Sequence, residues 1–365
     1  MKGFLEPILL TPLNLSQRPQ KVRMDLEEGA AIVVTDAPNV RWLTGFTGTN
    51  GIVYLDHEQI VLITDRRYQD QGPEEVAEAD SPTDVTIAQD PVKIISEICG
   101  TRTLIVDANA VTWGEKQRLA QAIRGEVTAS KSPFQGVRAQ KDTGEIQRIA
   151  QAARIADQAL ESVIPLLGQQ LSEIDIAMHL DHKVRMCGAS GSAYETIVAS
   201  GKNSSFPHAR PSGKIIEKGD IVVIDVGAVV DGYRSDMTRT FVIGGPTQEE
   251  EKYLGTVLAA QEEAISKLKP GVACKEIDKI CRDRIEDEGW GESFIHGTGH
   301  GVGLEIHESP QISSRSEDNL LSGMIITIEP GIYFKGQCGV RWEDLFVITD
   351  DGAKRLSRSE KVPQV

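Results

Sequence analysis

Residues 221–243 (IVVIDVGAVVDGYRSDMTRTFVI) and 324–348 (MIITIEPGIYFKGQCGVRWEDLFVI) constrain this chain more than any other stretch. Each reads as a β-hairpin: an apolar strand, a break, then a second strand. In the first, the break is Val230-Asp231-Gly232, and Asp225 and Asp236 lie symmetrically about it, so folding should set them opposite each other. In the second, the break is at 335–339, and Glu329 and Glu343 flank it in the same way. Asp225 follows Ile221-Val-Val-Ile224 and precedes Val226; Glu329 follows Ile325-Ile-Thr-Ile328. Such surroundings bury a strand, and a buried carboxylate without a partner costs several kcal/mol. Each therefore needs a cation, either a metal ion or one of Arg234, Arg239 and Arg341. Four carboxylates aimed at one point repel unless positive charge lies between them, and two divalent ions would supply it.

An internal repeat gives the two hairpins a reason to meet. Gly168-Gln-Gln-Leu-Ser-Glu173-Ile174-Asp175 is echoed 103 residues later by Gly271-Val-Ala-Cys-Lys-Glu276-Ile277-Asp278. Asp225 precedes Glu329 by 104 residues and Asp236 precedes Glu343 by 107. Helix, glycine, Glu-Ile-Asp, helix and acidic hairpin recur in one order. This predicts two related halves about a pseudo-twofold, with the acidic hairpins at the centre. Between them stands His296-Gly-Thr-Gly-His300-Gly-Val-Gly, too rich in glycine for a helix. Carboxylates with one imidazole form an oxygen-rich donor set suited to Mn²⁺, with Co²⁺, Zn²⁺ or Fe²⁺ as alternatives. Bridging carboxylates hold two such ions roughly 3.5–4 Å apart and activate a water between them as nucleophile.

Upstream, residues 1–137 read as a smaller α/β domain. Strands are expected at 30–35 and 104–107, a hairpin at 51–55 and 59–64, helices at 92–99 and 114–123, and a polar loop at 73–91. Asp142 and Glu145 form a capping box that opens a long helix, so the second domain takes residues 138–365. The balance of 39 basic against 54 acidic side chains, net −15, argues against a nucleic-acid partner. No apolar run reaches the roughly 18 residues of a membrane span, and the opening segment is a poor signal peptide. The five cysteines are scattered without a Cys-x-x-Cys, as expected of free thiols in a cytoplasmic protein.

Taken together, Asp225-x-Gly227, Ser235-Asp236-Met-Thr-Arg-Thr-Phe, His296-Gly-Thr-Gly-His300, His307-Glu, Glu329-Pro-Gly331 and Gly339-Val-Arg341-x-Glu343-Asp resemble the pita-bread metallopeptidase family. Leu43-Thr-Gly-Phe-Thr-Gly-Thr-Asn-Gly51 and Thr64-Asp-Arg-Arg-Tyr68 are similar to phrases of the creatinase-type domain that precedes it in the proline-specific members. The resemblance implies a creatinase-like α/β domain followed by an α+β pita-bread domain, and a homodimer. It implies that Asp225 and Asp236 hold one metal, that His300 and Glu329 hold a second, and that Asp236 and Glu343 bridge. It further implies that His208 contacts substrate and moves protons, that His307 lies near the scissile carbonyl or the proline pocket, and that His296 lies behind the ligands or touches substrate. Arg341 would orient Glu343 or the substrate, and Glu329 or His208 would protonate the leaving nitrogen. The implied substrate is a peptide with proline in second position, cut by an aminopeptidase P; the alternative is a prolidase restricted to dipeptides. A metal-free relative on this fold would have lost ligand positions, and all five are present here. Trp342 stands between Arg341 and Glu343 and, on a regular strand, should point away from Glu343.

Overall fold

The computed structural model describes residues 10–131 and 133–365. The opening nine residues and Ser132 lie outside them, including most of the segment considered above as a signal peptide. The described chain divides into two units, Pro12–Arg138 and Ala139–Val365, with residues 10 and 11 belonging to the second.

The first unit is built on a mixed sheet. Ala30–Val34 and Ile60–Thr64 are buried along their whole length, which is why they read as uninterrupted apolar runs. The strand order across the sheet is Asp84–Ile87, Ile60–Thr64, Gly51–Leu55, Ala30–Val34, Thr103–Asp107, Val127–Ser130. The expected hairpin forms about Asp56-His57-Glu58, with Leu55 opposite Ile60. The helices Arg18–Arg23, Ala37–Thr44 and Phe134–Ala139 were not expected, and the two edges of the sheet also depart from expectation. Residues 73–91, read as a polar loop, contribute to the helix Gln71–Glu78 and form the edge strand Asp84–Ile87. The helix buries only Gly72 and Val76 among its side positions, and the strand is half exposed, so neither leaves an apolar periodicity in the sequence. The other edge strand, Val127–Ser130, is equally polar and was not expected.

The second unit carries the repeat. Its first half runs through helices Thr143–Val163 and Glu173–Met186, then strands Ile197–Ser200, Ile221–Asp225 and Thr238–Val242. Its second half runs through helices Gln248–Ile265 and Cys274–Glu286, then strands Gly299–Gly301, Ile325–Ile328 and Asp344–Ile348. In each half the middle strand of the three by sequence is also the middle strand in space. Each half also has its own apolar core between helices and sheet, one centred on Leu160, Leu180 and Phe241, the other on Val257, Ile277 and Phe346. Full burial of one such side chain contributes about 1.5–3 kcal/mol. The first helix of the first half starts at the expected capping box: the Glu145 amide donates to Asp142 (2.9 Å) and the Asp142 amide donates to Glu145 (2.9 Å). A cap of this kind is worth about 1 kcal/mol.

Within each half a short hairpin continues from the central sheet into a separate small sheet: Ala228–Val230 with Tyr233–Arg234, and Gly331–Phe334 with Cys338–Arg341. The first turns through Asp231 (φ 46°) and Gly232 (φ 78°), two consecutive left-handed residues that match the twist of a two-residue hairpin turn. Asp231 is exposed, as a turn residue should be, and also accepts from Arg148 Nε at 2.6 Å. All five cysteines are free thiols. Among the described residues, no helix is long and apolar enough to cross a membrane.

Candidate metal centre

The four carboxylates are set by the register of the two hairpins. In the second half, Ile328 pairs with Asp344 and Gly331 with Arg341, so Glu329 and Glu343 stand opposite each other where one ladder ends and the next begins. That matches the symmetry read from the sequence. In the first half the register differs by two residues. Asp225 pairs with Thr238, and Val229 with Arg234, which places Asp236 opposite Gly227 and not opposite Asp225. A Cβ at Gly227 would lie 2.1 Å from the Ser235 carbonyl oxygen, so only glycine permits this approach. Asp225 and Asp236 still meet, because the Tyr194 hydroxyl lies between them. It lies within hydrogen-bond range of both Asp225 Oδ1 and Asp236 Oδ1, the latter at 2.5 Å, and its single proton goes to one of them at a time.

His300 arrives from the second half on Gly299–Gly301, a strand and not a helix, as the glycines require. A Cβ at Gly299 would lie 2.0 Å from the Thr327 carbonyl oxygen, so the strands approach only because the residue is glycine. The His300 amide donates to Thr327 Oγ1 (3.1 Å), and its Nε2 lies 3.3 Å from Glu329 Oε1 and 3.6 Å from Asp236 Oδ2. Ligand atoms of Asp236, His300 and Glu343 all lie within 4.8 Å of one another. The halves are stitched together at this point. The Glu343 amide donates to the Thr238 carbonyl (3.2 Å), and Thr240 Oγ1 donates to the Arg341 carbonyl (2.7 Å).

Arg341 is the arginine that neutralises Asp225: Nη2 lies 2.7 Å from Asp225 Oδ2. Its remaining donors go to Thr238 Oγ1 (2.9 Å), Tyr333 Oη (2.7 Å) and the Pro207 carbonyl (3.2 Å). The other two candidates serve elsewhere. Arg239 pairs with Asp344 (2.7 Å), and Arg234 holds the carbonyls of Leu304 and Ala193. His296 reaches Tyr333 Oη through Nε2 (3.0 Å). His307 stacks edge-on against His300 with ring centroids 4.4 Å apart. His208 is exposed and, with His296, His307 and Arg341, lines the same cavity of about 690 Å³ as the four carboxylates. Trp342 points into the core of the second half and donates from Nε1 to the Leu254 carbonyl (3.2 Å), away from Glu343 as strand alternation requires. Tyr194, Thr238, Thr327 and Tyr333 were not singled out from sequence. Nothing in their local patterns distinguishes them from ordinary strand or loop residues.

The electrostatics of this cluster demand cations. Burial, then the charges of Asp225 and Glu329, push Asp236 well above the usual carboxylate range. Burial, then Asp236 and Glu329, do the same to Glu343. Burial pulls the His300 imidazolium down, but Glu329 beside it outweighs that and raises it; burial pushes Glu329 up, but His300 outweighs that and lowers it. Arg341 neutralises one carboxylate and His300 another, which leaves two. Glu343 Oε1 is buried with no hydrogen-bond partner, while Oε2 accepts from Thr238 Oγ1 at 2.8 Å. An orphaned carboxylate oxygen facing an aspartate and a histidine is the arrangement a divalent ion would satisfy. Asp236, His300 and Glu343 could hold one such ion.

Residues 147–350 match metallopeptidase family M24, and residues 20–140 match the creatinase/prolidase N-terminal domain. The chain is 37% identical over 335 residues to an uncharacterised peptidase of Bacillus subtilis, covering 90% of this chain and 94% of that protein. It is 35% identical over 339 residues to an Xaa-Pro dipeptidase of Pyrococcus horikoshii, covering 93% and 95%. Among solved structures, it superimposes on an Xaa-Pro dipeptidase from Bacillus anthracis with a TM-score of 0.92 at 33% identity, over 96% of this chain and 100% of that one. It superimposes on an X-Pro aminopeptidase from Thermotoga maritima with a TM-score of 0.86 at 32% identity, over 95% and 100%.

Proposed function

Since this chain belongs to metallopeptidase family M24, we propose that it hydrolyses the peptide bond preceding proline, with Xaa-Pro dipeptides as its preferred substrates. The observation that carries the reading is the meeting of Asp236, His300 and Glu343 in a cavity, with one Glu343 oxygen buried and unsatisfied. Relatives named Xaa-Pro dipeptidase or prolidase support the dipeptide preference. That reverses the order expected from sequence, which placed an aminopeptidase P first and a prolidase second. The tertiary amide before proline has no N–H, so a site that recognises this bond must grip carbonyl and ring.

Asp225 and Asp236 would hold one divalent cation, and His300 and Glu329 a second, with Asp236 and Glu343 shared between them. When bound, such a pair would supply Lewis-acid polarisation of the scissile carbonyl and lower the pKa of water so that it can lose a proton and act as nucleophile near neutral pH. The side chains divide the remaining work. Glu329, beside His300, accepts a proton and passes it to the leaving proline nitrogen. Burial pushes His307 down, which favours an uncharged imidazole able to donate to a developing oxyanion. His208, exposed at the cavity wall, contacts substrate and relays protons to solvent in this reading, which its position on the cavity lining supports. Arg341 holds Asp225 in place, with Tyr333 and Thr238 as its other anchors.

The test is a rate comparison on Ala-Pro and Ala-Pro-Ala across a Mn²⁺ titration. Faster turnover of the dipeptide is expected. Faster turnover of the tripeptide would favour the second reading, an aminopeptidase P, which the likeness to the Thermotoga maritima enzyme supports. Activity that survives complete removal of metal would rule out both.

A further inference from the structure

The floor of the cavity is acidic and its rim is not uniform. Besides the histidines, its lining holds two side chains with permanent positive charge, Arg341 and Arg210. Arg341 is already committed. It is buried, and its donors are taken by Asp225, Thr238, Tyr333 and the Pro207 carbonyl. Arg210 is different. Its side chain is 83% exposed, and its Nε lies 3.2 Å from Glu195 Oε2, on a side chain that is itself 64% exposed. Both residues line the cavity. An exposed pair of this kind holds its partners weakly, so the guanidinium can exchange one carboxylate for another at little cost.

The depth of the site orients a zwitterionic substrate. The scissile carbonyl has to reach the cluster of Asp225, Asp236, Glu329 and Glu343, and Arg210, exposed on the same cavity lining, is the guanidinium left for a terminal carboxylate. In an Xaa-Pro dipeptide the free carboxylate belongs to the proline itself, one residue from the scissile bond. It therefore stays within the same cavity as the reacting carbonyl. In a longer peptide that group is a neutral amide. A planar guanidinium presents paired donors that match a carboxylate and gain little from an amide.

We propose that Arg210 binds the terminal carboxylate of the substrate proline and makes this site select free dipeptides, with Glu195 occupying the guanidinium while the site is empty. The inference rests on the proline-specific reading given above. It adds the residue that separates dipeptides from longer chains.

The experiment compares Ala-Pro with Ala-Pro-amide, which differ only in the terminal charge, on the Mn²⁺-loaded enzyme and on Arg210→Met and Arg210→Lys. The wild type should favour the acid. R210M should raise KM for Ala-Pro about five- to tenfold, the scale of a partly exposed charge-assisted contact. KM for the amide should be unchanged, as should kcat on both substrates, and R210K should recover part of the loss. The amide serves as the folding control, since a damaged protein would lose both activities together. Equal KM values for acid and amide in the wild type would overturn the role of Arg210 and leave the proline-specific reading standing. So would an R210M variant that changes neither KM, or both alike. A wild type that cleaves neither substrate would remove the proline-specific reading, and this inference with it.

Discussion

Thr238 and Glu343 are joined twice: the Glu343 amide donates to the Thr238 carbonyl at 3.2 Å, and Thr238 Oγ1 donates to Glu343 Oε2 at 2.8 Å. The two residues belong to different halves of the repeat, so one half aims the ligand that the other supplies. Because Oε2 is held, Oε1 is the oxygen left for a cation. Thr238→Val keeps the shape and removes the hydroxyl. Metal affinity should fall about 10- to 100-fold, as for other groups that orient a ligand, and Thr238→Ser should restore most of it. Calorimetric titration with Mn²⁺ reads this directly. An unchanged affinity in the valine variant would show that Thr238 does not aim Glu343.

Arg239 and Asp344 form an ion pair, 2.7 Å apart, in which neither side chain is exposed. Arg239 also donates to the Glu343 and Ser359 carbonyls, at 2.5 and 2.7 Å from its two terminal nitrogens. Lys361 also pairs with Asp344, 2.6 Å away, so Asp344 keeps a cation when Arg239 is removed. Asp344→Asn instead leaves both Arg239 and Lys361 without their carboxylate and should cost about 3–5 kcal/mol in urea denaturation, more than Arg239→Met. An arginine variant weaker than the aspartate variant would contradict this account.

Removing divalent ions should lower the melting temperature. Asp225, Asp236, Glu329 and Glu343 face one cavity, where Arg341 pairs with Asp225 and His300 with Glu329. A cation that binds the folded state alone, supplied at about 100 times its dissociation constant, adds about 2.7 kcal/mol. A chelator should therefore shift the melting curve down by several degrees, and Mn²⁺ should restore it. Identical curves with and without Mn²⁺ would mean that the cluster binds no ion.

Acid should destabilise the first unit through Asp56. Its carboxyl is 1% exposed. Burial raises its pKa, but the amides of Gln59 and Glu58 and the hydroxyl of Tyr54 outweigh that, so the folded value lies below the ordinary 3.8. A group lowered on folding stabilises fully above its unfolded value and loses that contribution as pH falls through the folded one. Stability should therefore decline below about pH 4. Asp56→Asn should be less stable at pH 7 by about 1–3 kcal/mol and should show a shallower decline in acid. Parallel acid limbs for the two proteins would assign the decline to other groups.

The site was legible in the sequence wherever burial and charge conflicted. Asp225 and Glu329 end runs of buried strand, and no solvated reading fits them; the repeat then explained why both hairpins share one cavity. What stayed hidden depended on register and on distance along the chain. Symmetry about Asp231 suggested that Asp225 faces Asp236, but the turn is built on Asp231 and Gly232 and pairs Val230 with Tyr233, which moves the partner of Asp225 to Thr238. Tyr194 is 31 residues from Asp225 and 42 from Asp236, in a loop that has no periodic signal. The edge strands of the first unit were missed because half-exposed strands carry no apolar run.

The two-residue turn at Asp231–Gly232 bears on how such a chain can change length. Each arm between that turn and an aspartate acts as a ruler. One residue inserted between Asp236 and the tip, or between Asp225 and the tip, would put the two aspartates out of step and disperse the cluster. Additions at the tip itself would leave both arms in step. Loops grafted there, for labels or tethers, are therefore the insertions this half can absorb without disturbing the alignment of Asp225 and Asp236.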